Sequence, residues 1–163
     1  LCDYIKNDNR TVYAVGKIND IFSGKGISNV LKGKNDQDLM THLLKQVRCA
    51  DDGSFIFANF VEFDSEYGHR RDVAGYARAL EWFDAELGGV LSQLSSEDIV
   101  IITADHGNDP TWPGTDHTRE RVPVLIKGNG IGSIGLISFS DVGASIASYL
   151  DVPYNGEGAS FWK

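Results

Sequence analysis

Two runs of β-branched and aromatic residues lead into aspartates, and this pattern constrains the fold more than any other feature of the sequence. Residues 54–63 read SFIFANFVEF and precede Asp64, and residues 98–103 read DIVIIT and come shortly before Asp105. Such runs are typical of largely buried strands. Because open α/β sheets bind ligands beyond the carboxyl ends of parallel strands, both carboxylates are expected at one edge of a sheet.

Helical patterns separate the predicted strands. Leucines spaced along one face predict a helix near Asp36–Arg48, and an apolar stripe predicts a longer helix that starts after Asp72, its N-cap, and runs to about Leu94. This alternation predicts an α/β fold, with a parallel-rich sheet covered by helices on both faces. The remaining predicted elements are strands at 11–15 and 122–126, a helix at 140–150 and a flexible loop at 128–135.

Three of the four histidines lie close to the two aspartates. His69 follows Asp64 by five residues, and His106 and His117 follow Asp105 in a segment rich in Gly, Pro and Asp. Taken singly, each residue has a structural alternative, since an Asp after a strand is often a helix N-cap. Together they offer carboxylate oxygen and imidazole nitrogen, a ligand set that suits divalent zinc or manganese. Adjacent Asp105 and His106 either converge through a turn or serve two different ions.

Composition excludes several classes of partner. A formal net charge of -8 argues against nucleic acid, whose phosphates require a basic surface. No apolar run approaches the length of a membrane span, so no membrane partner is expected. Cys2 and Cys49 match no metal or redox spacing, and we expect them to be reduced thiols in the cytoplasm.

Several other polar residues allow both a functional and a structural interpretation. Lys17 could contact a substrate phosphate, although a solvated lysine is the commoner case. Arg70 and Arg71 could clamp a phosphate or pair with nearby carboxylates. His42 falls in a helical stretch and is expected to have a surface or packing role.

Four segments carry a resemblance to a known family. They read GKINDIFSGKGI at 16–27, FDSEYGHRRD at 63–72, TADHGNDPTWPGTDHTRE at 103–120 and FSDVGAS at 139–145. These segments resemble the motifs of phosphopentomutases of the bacterial type, which belong to the alkaline phosphatase superfamily. The resemblance spans nearly the whole chain and implies an alkaline-phosphatase-like core.

The resemblance also implies a division of the ligands. Asp64, His69 and His117 would hold one ion, and Asp105 and His106 would hold a second, with manganese favoured over zinc. In the family an N-terminal Asp and a phosphorylated Thr complete the second ion, and an inserted cap contacts the substrate; none of these has a counterpart in this sequence. Residues 1–163 are therefore expected to be the C-terminal part of the metal-binding catalytic core domain, without a catalytic residue of their own and prone to self-association.

The implied activity is interconversion of ribose or deoxyribose 1-phosphate and 5-phosphate by two-metal phosphoryl transfer through the phosphothreonine. A phosphorylated pentose would be the substrate, and the isolated chain is expected to be inactive. Two alternatives stay open. One is another phosphatase or a phosphoglycerate mutase of the same superfamily, and the other is a non-catalytic metal-binding domain.

Overall fold

The structure is a computed structural model that describes residues 1–128 and 132–162. Residues 129–131, which belong to the predicted flexible loop, lie outside this range. The described residues alternate between helices and strands, as the sequence patterns predict. In chain order the elements are α1 (Cys2–Asn7), β1 (Val12–Val15), α2 (Ile18–Ile21), β2 (Asn29–Leu31), α3 (Asp36–Cys49), β3 (Phe55–Ala58), a π-helix (Phe63–Gly68), α4 (Val73–Leu91), β4 (Val100–Thr103), β5 (Val124–Lys127) and α5 (Phe139–Tyr149).

Three strands form a parallel sheet with the order β2-β1-β3, and the central strand β1 is the best buried of the three. Tyr13 pairs with Asn29 on one side and with Ile56 on the other. Parallel neighbours require crossover connections, and α2 and α3 lie in these connections. The predicted α/β class with a parallel-rich sheet surrounded by helices is confirmed. The principal apolar cluster joins β1 to α1 and comprises Cys2, Ile5, Val12, Ala14, Ile18, Ile27 and Val152.

Side-chain caps set the starts of the two longer helices. Asn35 caps α3 by accepting a hydrogen bond from the backbone N–H of Asp38. Asp72 caps α4 by accepting from the N–H of Gly75, which confirms the predicted N-cap. Each cap satisfies an N–H that has no partner within the first turn of its helix. No helix in the described ranges is both long and apolar enough to cross a membrane.

The predicted strand at 55–63 is shorter than expected. Its ladder ends at Ala58, after which Asn59 N–H donates a last hydrogen bond to the Val15 carbonyl at 3.1 Å. The chain then turns, and Phe63 packs edge-on against Tyr76 and Phe83 of α4. The aromatic residues that resemble a continuous strand in the sequence therefore divide into two groups. The first part of the run pairs in the sheet, and Phe63 packs against α4.

The strand before Asp105 is also placed differently from expectation. We expected it to be parallel to its neighbours, but β4 pairs antiparallel with β5, with Ile101 opposite Ile126. Among the described residues these two strands form a sheet separate from β2-β1-β3. The period-two pattern is the same for either direction of pairing, so it cannot distinguish a parallel from an antiparallel neighbour.

Candidate metal centre

Asp64 and His69 are brought together by the π-helix rather than by a loop. The N–H of His69 donates to the Asp64 carbonyl at 2.9 Å, which closes an i to i+5 turn. A π-helical turn of this kind is rare and is found frequently at functional sites. It aligns the two side chains, so that His69 Nε2 lies 3.4 Å from Asp64 Oδ2. The five-residue spacing seen in the sequence is thus the spacing of one π-helical turn.

A backbone carbonyl sets the tautomer of the His69 ring. His69 Nδ1 lies 2.6 Å from the Thr115 carbonyl oxygen. Because a carbonyl only accepts, Nδ1 carries the proton, and in the neutral ring Nε2 carries the lone pair. Metal-binding histidines are oriented by this kind of contact. His69 therefore presents a ligand nitrogen towards Asp64.

His117 completes the cluster from a different part of the chain. Its Nε2 lies 3.3 Å from Asp64 Oδ1 and 3.1 Å from His69 Nε2. A tetrahedral ion with ligand bonds of about 2.0–2.1 Å holds its donors about 3.3–3.4 Å apart. The distances from His69 Nε2 and His117 Nε2 to Asp64, and between the two nitrogens, are 3.4, 3.3 and 3.1 Å. The donors therefore fit a divalent cation in both chemistry and spacing.

His106 and Asp105 lie beside this cluster. The His106 ring stacks on the His117 ring, with centroids 3.8 Å apart. The donor atoms of Asp64, His106 and His117 all lie within 4.8 Å of one another. Asp105 is far more open, with 74% of its side chain exposed and Oδ1 3.8 Å from His106 Nε2. The structure thus places His106 beside both Asp105 and the Asp64 group.

Asn108 orients the Asp64 carboxylate. Its amide nitrogen donates to Asp64 Oδ1 at 2.6 Å, and the residue is only 8% exposed. Gly68 makes this approach feasible, because a Cβ at that position would lie 2.5 Å from the Asn108 amide nitrogen. Gly68 and Asn108 both lie in the sequence motifs described above, but no pattern in the sequence indicated that they would be in contact.

The segment that carries His117 is closed on itself by Thr118. The N–H of Thr118 donates to the Gly107 carbonyl at 3.0 Å, and its hydroxyl accepts from the N–H of Asp109 at 2.7 Å. The same hydroxyl donates to the Glu120 carboxylate at 2.8 Å. The Asp109 carboxylate accepts from Thr111, and so it stabilises the turn instead of joining the cluster. These bonds fix the loop between His106 and His117.

The remaining polar residues lie outside the cluster. Lys17 is exposed and borders a cavity of about 330 Å³ that is also lined by Ser65 and Glu66 of the π-helix. Arg70 forms an ion pair with Glu66 at 2.7 Å, which agrees with the predicted pairing with a nearby carboxylate. His42 lies on α3, with Nε2 3.1 Å from the Lys32 carbonyl, in keeping with a surface role.

Asp36 anchors the turn that leads into the π-helix. Its carboxylate accepts from the N–H groups of Val61 at 3.1 Å and Glu62 at 3.3 Å, although only 3% of the residue is exposed. The Val61 carbonyl in turn accepts from the N–H groups of Asp64 and Ser65. Burial, together with the nearby Glu62 carboxylate, raises the pKa of Asp36 to about 6. The sequence carried no signal for this contact.

This raised pKa predicts a pH dependence of stability. The folded chain holds the Asp36 proton more tightly than the unfolded chain, so the stability from this group is present below about pH 4 and lost as pH rises through about 6. We expect the difference in unfolding free energy between wild type and Asp36→Asn to fall by up to about 3 kcal/mol from pH 4 to 7. Urea denaturation of both chains across this range measures it. Other titrating groups cancel in the difference, and a flat difference would contradict the prediction.

Comparison with known proteins agrees with the geometry. A family model described as the Metalloenzyme superfamily matches residues 4–154. The chain belongs to the Metalloenzyme superfamily. This membership and the ligand cluster together indicate divalent metal binding.

Relatives of this Metalloenzyme superfamily member are named phosphopentomutases. The phosphopentomutase of Rhizobium johnstonii is 52% identical over 99% of this chain and 40% of its own length. That of Shewanella pealeana is 52% identical over 98% of this chain and 40% of its own length. The resemblance drawn from the sequence motifs is therefore confirmed. The chain spans about 40% of the length of the curated relatives it matches.

Proposed function

We propose that the chain supplies the metal-holding part of a phosphopentomutase, which interconverts ribose or deoxyribose 1-phosphate and 5-phosphate in the cytoplasm. The observation that carries this proposal is the convergence of Asp64, His69 and His117 within 3.1–3.4 Å. When bound, two divalent ions would neutralise the charge on the transferred phosphoryl group. Mixed carboxylate and imidazole donors suit manganese or zinc. The resemblance to phosphopentomutases favours manganese of the two.

Each ligand has its own part in this proposal. Asp64, His69 and His117 hold the first ion, with the Asn108 amide and the Thr115 carbonyl setting the orientation of two of them. Asp105 and His106 provide ligands to the second ion. Lys17, on the cavity next to the π-helix, would contact a phosphate of the pentose.

The second ion needs ligands beyond these two. Asp105 is largely exposed, and its distance of 3.8 Å from His106 does not close a coordination shell. In the proposal, residues 1–163 form the C-terminal part of the catalytic core domain. The phosphorylated Thr, a further Asp and the cap would come from the part of the relatives that this chain does not match. No residue of the chain is then the catalytic nucleophile.

Activity assays test this division of labour. We expect no measurable conversion of ribose 1-phosphate to ribose 5-phosphate by the 163-residue chain in the presence of Mn²⁺. A chimaera in which the chain replaces the matching part of the Shewanella pealeana phosphopentomutase should restore conversion. His117→Ala in that chimaera should abolish it again. Robust conversion by the chain alone would show that the phosphoryl acceptor lies within these residues.

A non-catalytic metal-binding role is the second candidate, and the open environment of Asp105 is the observation that favours it. A chimaera that binds metal but converts none of a panel of phosphorylated pentoses would support this role. Hydrolysis of other phosphate esters by the chimaera would instead indicate a phosphatase of the same superfamily.

A further inference from the structure

Arg71 directs its whole guanidinium group at the metal-binding segments. Nε donates to the Gly114 carbonyl, and Nη2 donates to the Asp116 carbonyl at 2.6 Å. Nη1 is shared among the Gly68 carbonyl at 3.0 Å, the Asp109 carbonyl at 2.8 Å and the side chain of Asn108. All three nitrogens are therefore engaged with protein acceptors, in contrast to the phosphate-clamp reading of this residue.

These acceptors lie on both sides of the cluster. Gly68 directly precedes His69, whereas Asp109, Gly114 and Asp116 belong to the loop that carries His117. One planar group thus ties the two histidine-bearing segments together. Arginine has five N–H donors in a fixed plane, and the single ammonium group of a lysine cannot span the same set.

A relay connects Arg71 to Asp64. Nη1 donates to Asn108 Oδ1 at 2.7 Å, and the Asn108 amide nitrogen then donates to Asp64 Oδ1 at 2.6 Å. Because the guanidinium only donates, it decides which end of the Asn108 amide is the acceptor and leaves the NH₂ group facing the carboxylate. Arg71 therefore influences the orientation of a ligand that it does not touch.

The backbone at Arg71 is unusual for a residue that carries a side chain. Arg71 has a φ of +56°, in the left-handed region that glycine adopts most readily. Its neighbour Arg70 provides a contrast, because 65% of its side chain is exposed and its ion pair among the described residues is with Glu66 of the π-helix. The two adjacent arginines thus have the same chemistry but different surroundings.

We propose that Arg71 is a positioning residue for the metal cluster, since it fixes the His69 segment, the His117 loop and the Asn108–Asp64 contact in one arrangement. This inference rests on the proposed metal-binding function. It assigns a role in metal affinity to a residue that does not ligate the metal.

Conservative substitution of each arginine tests the proposal. Arg71→Lys keeps the charge but loses the planar fork, and we expect the affinity for Mn²⁺ and Zn²⁺, measured by calorimetry, to fall by roughly 10–100-fold. Arg70→Lys is the matched control and should bind within about twofold of wild type, because its exposed ion pair contributes little. The absorption spectrum of the Co²⁺-loaded protein should change in Arg71→Lys only.

Separate readouts distinguish positioning from a purely structural role. A structural role would lower the melting temperature of Arg71→Lys in chelator but leave metal affinity unchanged, and that result would overturn the proposal. Should Arg71→Lys fail to fold by circular dichroism, Asn108→Ala takes its place, because it breaks the relay and spares the carbonyl contacts. Unchanged affinity in Asn108→Ala would then overturn the proposal. Absence of metal binding by the wild-type chain would instead refute the proposed function itself.

Discussion

Replacing His117 with alanine should abolish tight metal binding by this chain. His117 Nε2 lies within 3.3 Å of both Asp64 and His69, and it also belongs to the group with His106, so its loss removes a ligand from either set and leaves that set with two. Changes to residues that only orient a ligand cost about 10–100-fold in affinity, and loss of a ligand should exceed that range. Calorimetric titration with Mn²⁺ or Zn²⁺ measures the effect. For wild type we expect one tight ion per chain and a second bound weakly.

Two further substitutions complete this experiment. His42→Ala is the control, since His42 lies on α3 outside the cluster and its Nε2 is hydrogen-bonded to the Lys32 carbonyl, and it should leave the tight site intact. His69→Ala and His106→Ala separate the two arrangements that the geometry allows. A larger loss with His69→Ala supports the ligand set Asp64, His69 and His117, whereas a larger loss with His106→Ala supports the group of Asp64, His106 and His117. Two equally tight sites in wild type, or none, would refute both.

Removal of the metal should lower the melting temperature by roughly 5–10 °C. An ion that binds only the folded chain, at a free concentration a hundredfold above its dissociation constant, stabilises it by about 2.7 kcal/mol. For a domain of about this size, each kcal/mol corresponds to roughly 2–4 °C. The stabilisation has a structural origin, because the folded chain brings Asp64 and three histidine rings together as one set of candidate ligands.

Calorimetric melting with and without a chelator checks this expectation. His117→Ala is the control, and its melting temperature should not depend on the chelator. The scans are best repeated at several protein concentrations, because Val73 and Leu80 of α4 are 49% and 51% exposed and we expect the chain to self-associate. A wild-type melting temperature that does not depend on the chelator would favour the interpretation that the domain binds no metal.

Local patterns predicted the longer helices and four of the five described strands, whereas β2 and the short helices α1 and α2 were not predicted. The apolar runs predicted β1, β3, β4 and β5 to within a few residues, apart from the end of β3. The N-cap at Asp72 follows from hydrogen bonding within one helical turn, which is a property of neighbouring residues. Carboxylate and imidazole donors are likewise a matter of residue type, so the chemistry of the site could be read without coordinates.

Contacts between distant segments could not be predicted in this way. Phe63 belongs to an apolar run, but it leaves the sheet because Phe83 lies opposite it, and the direction of β4 depends on its pairing with β5. The alignment of Asp64 with His69 depends on a π-helical turn. Asp36 helps to hold that turn from another helix, 25 residues from Val61 in the sequence.

The sequence by itself determined the α/β class and indicated divalent metal binding, and its assignment of the ligands stays a prediction. Tertiary structure alone decided that His106 stacks on His117 while Asp105 stays exposed, and that Arg71 reaches loop carbonyls rather than a ligand phosphate. The physical reason is the distance along the chain over which each interaction acts. Propensity, periodicity and donor type act between near neighbours in the chain, whereas the orientation of a ligand depends on hydrogen bonds to segments more than 30 residues away.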